Sequence, residues 1–202
     1  LNTMLELQVP HISCYALTVE EKTALDHQIK KGLTPAPLEK DASEQFLFMQ
    51  AFFNTHNYIQ YEISNIAKEG HFAKHNSNYW KGVPYLGIGP GAHSFDGKNR
   101  QWNMSNNALY MKNIENNIQH YEVEELTDRD RYNEYVMTGL RTIWGVEKEN
   151  LKQFDSTLNN YFQTHIREHL NQGNIRETAD AYVLSEEAKL RADAIASDLF
   201  FI

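Results

Sequence analysis

Apolar positions follow two rhythms along this chain, and the change between them falls near Trp102. Met4, Leu5 and Leu7 stand at helical spacing at the very start. Val9 to Val19 then mixes β-branched and aromatic residues with no helical period, which predicts a strand. Lys30 to Leu38 holds Gly32, Pro35 and Pro37 and predicts a loop. Asp41-x-x-Glu44 is a capping-box pattern, and it opens a predicted helix with an apolar stripe at Ala42, Phe46, Met49 and Phe53. Tyr58 to Ile63 is a second predicted strand. Tyr85 to Ile88 is a third, running into a glycine-rich turn. Strands alternating with a helix predict parallel βα units.

Beyond Trp102 the pattern is mostly helical. A helix from Ser105 is expected to carry Tyr110, Ile114, Ile118 and Tyr121 on one side. Thr127-x-x-Asp130 caps another, with Tyr132, Val136, Leu140 and Ile143 inward. Leu158, Phe162, Ile166 and Leu170 mark a third, which stops at Gly173. Asn174 to Glu177 and Ala181 to Leu184 predict a hairpin, and Ser185 caps a last helix with Ala188, Ala192, Ile195 and Leu199 inward. Helices followed by a small hairpin suggest a winged-helix-like module from about Glu125.

Composition narrows the function classes. The chain has 202 residues, 41% of them hydrophobic and 12% aromatic, which suits a folded protein with a sizeable core in one or two domains. Its net charge of −8 argues against electrostatic binding to nucleic acid. The helix around Phe162 agrees, since Arg167 is its cation while Asp155 and Glu168 oppose it. No apolar run approaches the ~20 residues that a membrane helix needs. One cysteine, Cys14, excludes an intrachain disulfide and fits a reducing, cytoplasmic setting. It also cannot hold an iron–sulfur cluster by itself. In its predicted strand it reads as packing.

The candidate chemistry is concentrated between His75 and Ser94. His75, Asn76, Tyr79 and Trp80 stand next to Gly87, Gly89, Gly91 and His93. Imidazole can ligate a metal, aromatic rings can stack on a planar ligand, and glycines let the backbone come close to one. His75 and Trp80 also read as packed residues of a loop, and the glycines as a tight strand-to-loop turn. His71, at i−4, is a second ligand candidate if 71 to 75 is helical. Glu62 reads as a loop anchor, and His165 and His169 as a solvated pair without a third metal ligand.

His75-Asn76-Ser77-Asn78-Tyr79-Trp80 and Gly87-Ile88-Gly89-Pro90-Gly91-Ala92-His93-Ser94 resemble the HNxxYW motif and the following GIGxGAHS segment of HemW haem chaperones. Those belong to the oxygen-independent coproporphyrinogen III oxidase-like radical-SAM proteins. His11-Ile12-Ser13-Cys14-Tyr15 and Tyr61-Glu62-Ile63-Ser64-Asn65 are similar to two further family segments, although Glu21-Lys22 replaces a usual Pro-Gly. The resemblance runs from about Pro10 to the end. It implies the late βα units of a radical-SAM barrel (residues 1–104) followed by a helical, winged-helix-like domain (105–202). It also implies a C-terminal portion, because the family's CxxxCxxC cluster loop is absent. By the same resemblance His75 would be an axial haem ligand, with Asn76, Tyr79 and Trp80 around the macrocycle. Tyr15, Ala16, Gly87, Gly89, Gly91 and His93 would face a cavity for S-adenosylmethionine or a tetrapyrrole. The parent protein would hold S-adenosylmethionine and a [4Fe–4S] cluster, bind haem or a porphyrin, and pass haem to an acceptor protein. Coproporphyrinogen III decarboxylation is the enzymatic alternative and a cofactor-free interaction module the third. This chain alone, lacking the cluster motif, is expected to be inactive.

Overall fold

A computed structural model describes all residues, 1–202. The elements in order are α1 (Asn2–Glu6), β1 (His11–Ser13), α2 (Ala24–Lys30), α3 (Glu39–Asn54), β2 (Ile59–Glu62), β3 (Asn65–Ala67), α4 (Lys74–Trp80), β4 (His93–Phe95), β5 (Asn99–Asn103), α5 (Asn107–Glu115), β6 (Tyr121–Glu125), α6 (Asp128–Leu140), β7 (Val146–Glu147), α7 (Lys148–Leu151), α8 (Ser156–Asn171), β8 (Ile175–Glu177), β9 (Ala181–Leu184) and α9 (Ala192–Asp198). They fall into two compact units, residues 1–73 with 187–190, and residues 74–186 with 191–202. The boundary between residues 104 and 105 implied by the family resemblance falls inside the second of these units.

The first unit is built on the sheet β1-β3-β2. Met49 and Phe53 of α3 pack with Tyr58 and Ile66, and Leu5, Ile12, Cys14, Phe46 and Phe52 close around them. Burial pushes the Cys14 thiol up, as a packing role demands. Tyr61 is fully buried, stacked on Phe72 at 4.6 Å, and its hydroxyl lies 2.8 Å from His11 Nε2. Glu62 is 2% exposed and accepts from the Ser64 amide (3.0 Å) and from Asn65 Nδ2 (2.6 Å). It anchors the turn from β2 to β3, as its sequence context suggested.

The second unit holds the sheets β4-β5-β6 and β7-β9-β8. Tyr132, Val136 and Leu140 of α6, Phe162 and Ile166 of α8, and Ile195 and Leu199 are each at most 2% exposed. The Tyr132 hydroxyl donates to the Leu199 carbonyl at 3.0 Å. Thr127 and Asp130 form the expected capping box, and the hairpin β8–β9 pairs as anticipated. The α8 helix gives way to Gly173 at φ 73°.

Several expectations are corrected. Every strand pairing is antiparallel, not parallel. Two residues join β2 to β3, and three join β4 to β5, whereas a parallel pair needs a crossover of a dozen or more. The expected strands at 9–19 and 85–88 shrink to β1 and to one bridge between Tyr85 and Phe95. The Asp41 capping box does not form, because α3 starts earlier, with Leu38 as its N-cap. Likewise α5 is capped by Asn106, whose side chain accepts from Leu109 N at 3.0 Å. Ile114 and Ile118 are exposed, and Tyr121 lies in β6, so the stripe expected there buries nothing. Ser185 gives way to a 3₁₀ turn, Glu186–Arg191, before α9.

Candidate functional site

The segment holding His75 is helical, where a loop had been expected. Its end explains why: Val83 N donates to Asn78 O at 3.0 Å and Gly82 N to Tyr79 O at 3.1 Å. This paired closure needs a left-handed residue after the last turn, and Gly82 supplies it at φ 63°. Seven residues cannot show a helical period on their own, so Gly82 was the one legible signal.

A helical frame puts His75 and Tyr79 on one face, four residues apart. Their rings meet edge-on, with centroids 4.9 Å apart. Tyr79 in turn lies 4.5 Å from Tyr85, and Tyr85 lies 6.2 Å from Phe95. Tyr85 is fixed from below by exchanging both backbone hydrogen bonds with Phe95, each 2.9 Å. Burial pushes its phenol up, Tyr79 adds to this, and the Arg100 guanidinium beside it partly opposes both. From the sequence Tyr85 reads as the start of a strand and Arg100 as a cation of the site segments, without their adjacency. The alternation of the predicted strand at 85 was the available hint.

His75 is exposed, and no hydrogen bond engages its imidazole. Asn76 therefore does not orient it, because neighbours on a helix point in different directions. Asn76 is half-buried, and His71 lies ahead of α4, so the helical pairing of His71 with His75 is not realised. Trp80 lies on another face of α4, where the Arg141 guanidinium sits 5.4 Å from its ring centroid. The Trp80 Nε1 and the Ser77 hydroxyl are buried without a hydrogen-bond partner.

The glycine turn is closely held. Gly87 N donates to Ser94 Oγ at 2.9 Å, and a Cβ at Gly87 would collide with the His93 carbonyl. Asn103 Nδ2 donates to Gly87 O (3.3 Å) and Gly89 O (3.0 Å), while Gly89 takes φ 105° and Gly91 φ 68°. Only glycine adopts such angles at little cost. Leu86 and Ile88 are left 77% and 85% exposed. His93 is exposed at the start of β4, its ring 6.2 Å from Trp102. Tyr15 and Ala16 belong to the other compact unit, exposed in the irregular run after β1.

An accessible imidazole beside aromatic rings, with no hydrogen-bond partner of its own, is a donor that haem iron can accept. His165 and His169 do not make a second centre, and no group of three or more His, Cys, Asp or Glu forms that could hold a metal. His165 Nδ1 lies 2.8 Å from Tyr161 O at the surface. His169 is buried rather than solvated, between Asn174 (3.3 Å) and Asp198 (3.5 Å).

The comparisons with known proteins agree with the motifs. Residues 126–191 match the family model of the HemN C-terminal domain. The chain is 30% identical over 197 residues to the haem chaperone HemW of Bacillus subtilis, covering 96% of this chain and 52% of that protein. HemW of Haemophilus influenzae is 30% identical over 193 residues, covering 94% and 49%. A mitochondrial radical S-adenosyl methionine domain-containing protein 1 of Mus musculus is 42% identical over 83 residues, covering 41% and 19%. The solved coproporphyrinogen III oxidase HemN of Escherichia coli, a radical-SAM enzyme, superposes with a TM-score of 0.70 at 17% identity, over 98% of this chain and 50% of that one. The chain therefore shares its fold with the HemN group and is similar in sequence to the HemW chaperones. It spans about half the length of HemW.

Proposed function

We propose that this chain is the haem-binding C-terminal portion of a radical-SAM haem chaperone, which holds haem through His75 and releases it to an acceptor protein. The observation that carries this is the unengaged imidazole of His75 on α4, set edge-on to Tyr79 beside Tyr85. A hydrogen-bonded, buried histidine would be structural; this one is neither. Haem is cargo in this reading. By the same reading Asn76, Tyr79 and Trp80 serve the haem, and Gly87, Gly89, Gly91 and His93 serve S-adenosylmethionine or the tetrapyrrole.

Residues 1–104 are assigned to the late part of a radical-SAM barrel and 105–202 to a winged-helix-like domain. The HemN likeness and the order α6, α8, β8, β9 support this assignment, while the antiparallel pairings do not. The whole protein would bind S-adenosylmethionine and a [4Fe–4S] cluster, whose cysteines this chain does not supply. It would act in the cytoplasm. Decarboxylation of coproporphyrinogen III is the second reading, which the shared HemN fold keeps in view.

Titrating haemin into the chain tests the proposal. Saturable binding with a histidine-type Soret band, lost in His75→Ala, is expected. Binding that is absent, or unchanged in His75→Ala, overturns it.

A further inference from the structure

The sheet β4-β5-β6 is met at its β4 side by the Tyr85–Phe95 bridge, which leaves β6 as its open edge. All five residues of β6, Tyr121 to Glu125, are exposed. The ladder fixes which of their backbone groups are free. Met104 N donates to His120 O at 2.8 Å and Leu126 N to Lys98 O at 3.3 Å. Glu122 and Glu124 therefore face β5, in the hydrogen-bonded pairs with Trp102 and Arg100. Tyr121, Val123 and Glu125 turn their N–H and C=O groups away from it. The Tyr121 carbonyl accepts from Gln119 Nε2 at 2.9 Å. The backbone groups of Val123 and Glu125 stand open, a short template for one more strand.

The side chains say what that strand would carry. Glu122 and Glu124 share one sheet face with Trp102 and Arg100, while Tyr121, Val123 and Glu125 share the other. Arg100 lies 4.0 Å from Glu124, but its closer contact, at 2.8 Å, is with Glu134. Glu122 and Glu125 have no ion pair, and neither Lys98 nor Lys112 reaches them. Charges alone would blunt the edge; here they alternate with Tyr121 and Val123, 36% and 50% exposed. A second copy of β6 fits badly. Antiparallel pairing about Val123 sets Glu122 opposite Glu124 twice, and like charges directly opposite are destabilising. Cations beside the glutamates and apolar residues beside Tyr121 and Val123 would satisfy the same positions. We propose that β6 is a docking edge for an extended segment of a partner protein, in which lysine or arginine alternates with apolar residues, added as a fourth strand. It would lie beyond Glu124 in the cross-strand row Tyr85, Phe95, Arg100, Glu124, about 14 Å from β4. This goes beyond haem ligation by His75 and does not depend on it.

The probe is a peptide of about ten residues alternating lysine and valine, with a scrambled peptide of the same composition as its control. Binding to the chain is read by fluorescence anisotropy at low salt, and the contact by amide hydrogen exchange followed by NMR. The alternating peptide is expected to bind at least about tenfold more tightly than the scrambled one and to slow exchange at Val123 and Glu125. Glu122 and Glu124, whose amides already face β5, should change little. Val123→Pro removes the open N–H without breaking a bond to β5, so it should weaken binding about tenfold or more with the far-ultraviolet circular dichroism unchanged. Glu122→Lys should weaken the lysine–valine peptide and favour a glutamate–valine one, which decides the matter if Val123→Pro does not fold. Equal affinity for the alternating and scrambled peptides, or binding that leaves exchange at Val123 and Glu125 unchanged, overturns the proposal. So does a dimer of the chain alone that protects those two amides, because a second copy would then be the occupant.

Discussion

Gly139 lies inside α6, where alanine would ordinarily be the better residue by about 1 kcal/mol. Here the sign reverses. A Cβ on Gly139 would stand 2.9 Å from the Gly145 carbonyl oxygen and 2.9 Å from Val146 Cγ2. The carbonyl cannot easily retreat, because Gly145 sits at φ 71° with its own missing Cβ facing the Tyr182 carbonyl. Overpacking of this kind costs about 1–3 kcal/mol. Set against the propensity gain, Gly139→Ala should lose about 1 kcal/mol net, or roughly 2–4 °C in melting temperature for a chain of this size. Urea titration followed by circular dichroism reads it directly. A variant more stable than the parent by 0.5 kcal/mol or more, as about half the propensity gain would give, would show that β7 can shift and that the close approach is not a constraint. Gly145→Ala should cost more, since it adds a positive φ to a direct overlap.

Other consequences follow from the same unit. Phe162 is fully buried and meets Tyr182 with centroids 5.4 Å apart, so Phe162→Ala should cost about 3–5 kcal/mol in a urea melt, and a loss under about 1 kcal/mol would mean that its pocket is not closed. Burial, helped by Tyr161, pushes the Tyr132 phenol well above its ordinary value. A raised folded value means that the contribution is complete below the unfolded value of about 10 and is lost as pH rises beyond it. Tyr132→Phe, which orphans the Leu199 carbonyl, should cost about 1–3 kcal/mol at neutral pH. That gap should narrow above pH ~10, and a gap constant from pH 7 to pH 11 would refute the assignment.

What could be read in advance was local. The Thr127–Asp130 box, the α8 stripe with its Gly173 stop, and the β8–β9 hairpin are each written in a few neighbouring residues. Glu62 was legible as an anchor because its acceptors' partners, Ser64 and Asn65, follow it directly. Strand direction was not legible, since alternating patterns look alike in parallel and antiparallel sheets. The start of α3 was misplaced because a capping box at Asp41 and a start at Glu39 predict nearly the same helix. At the candidate site, His75 and Tyr79 were visible as residues, but their shared face depends on α4. Tyr85 and Arg100 join them only through the pairing of β4 with β5 and the Tyr85–Phe95 bridge, contacts that no short motif encodes.

The central claim, that His75 is the haem ligand, is tested most directly by optical titration of haemin into the parent chain, His75→Ala and His93→Ala side by side. The account predicts a histidine-ligated Soret band in the parent and in His93→Ala, and its loss in His75→Ala with the far-ultraviolet circular dichroism unchanged. The band surviving in His75→Ala and vanishing in His93→Ala would contradict it and move the ligand to the glycine turn.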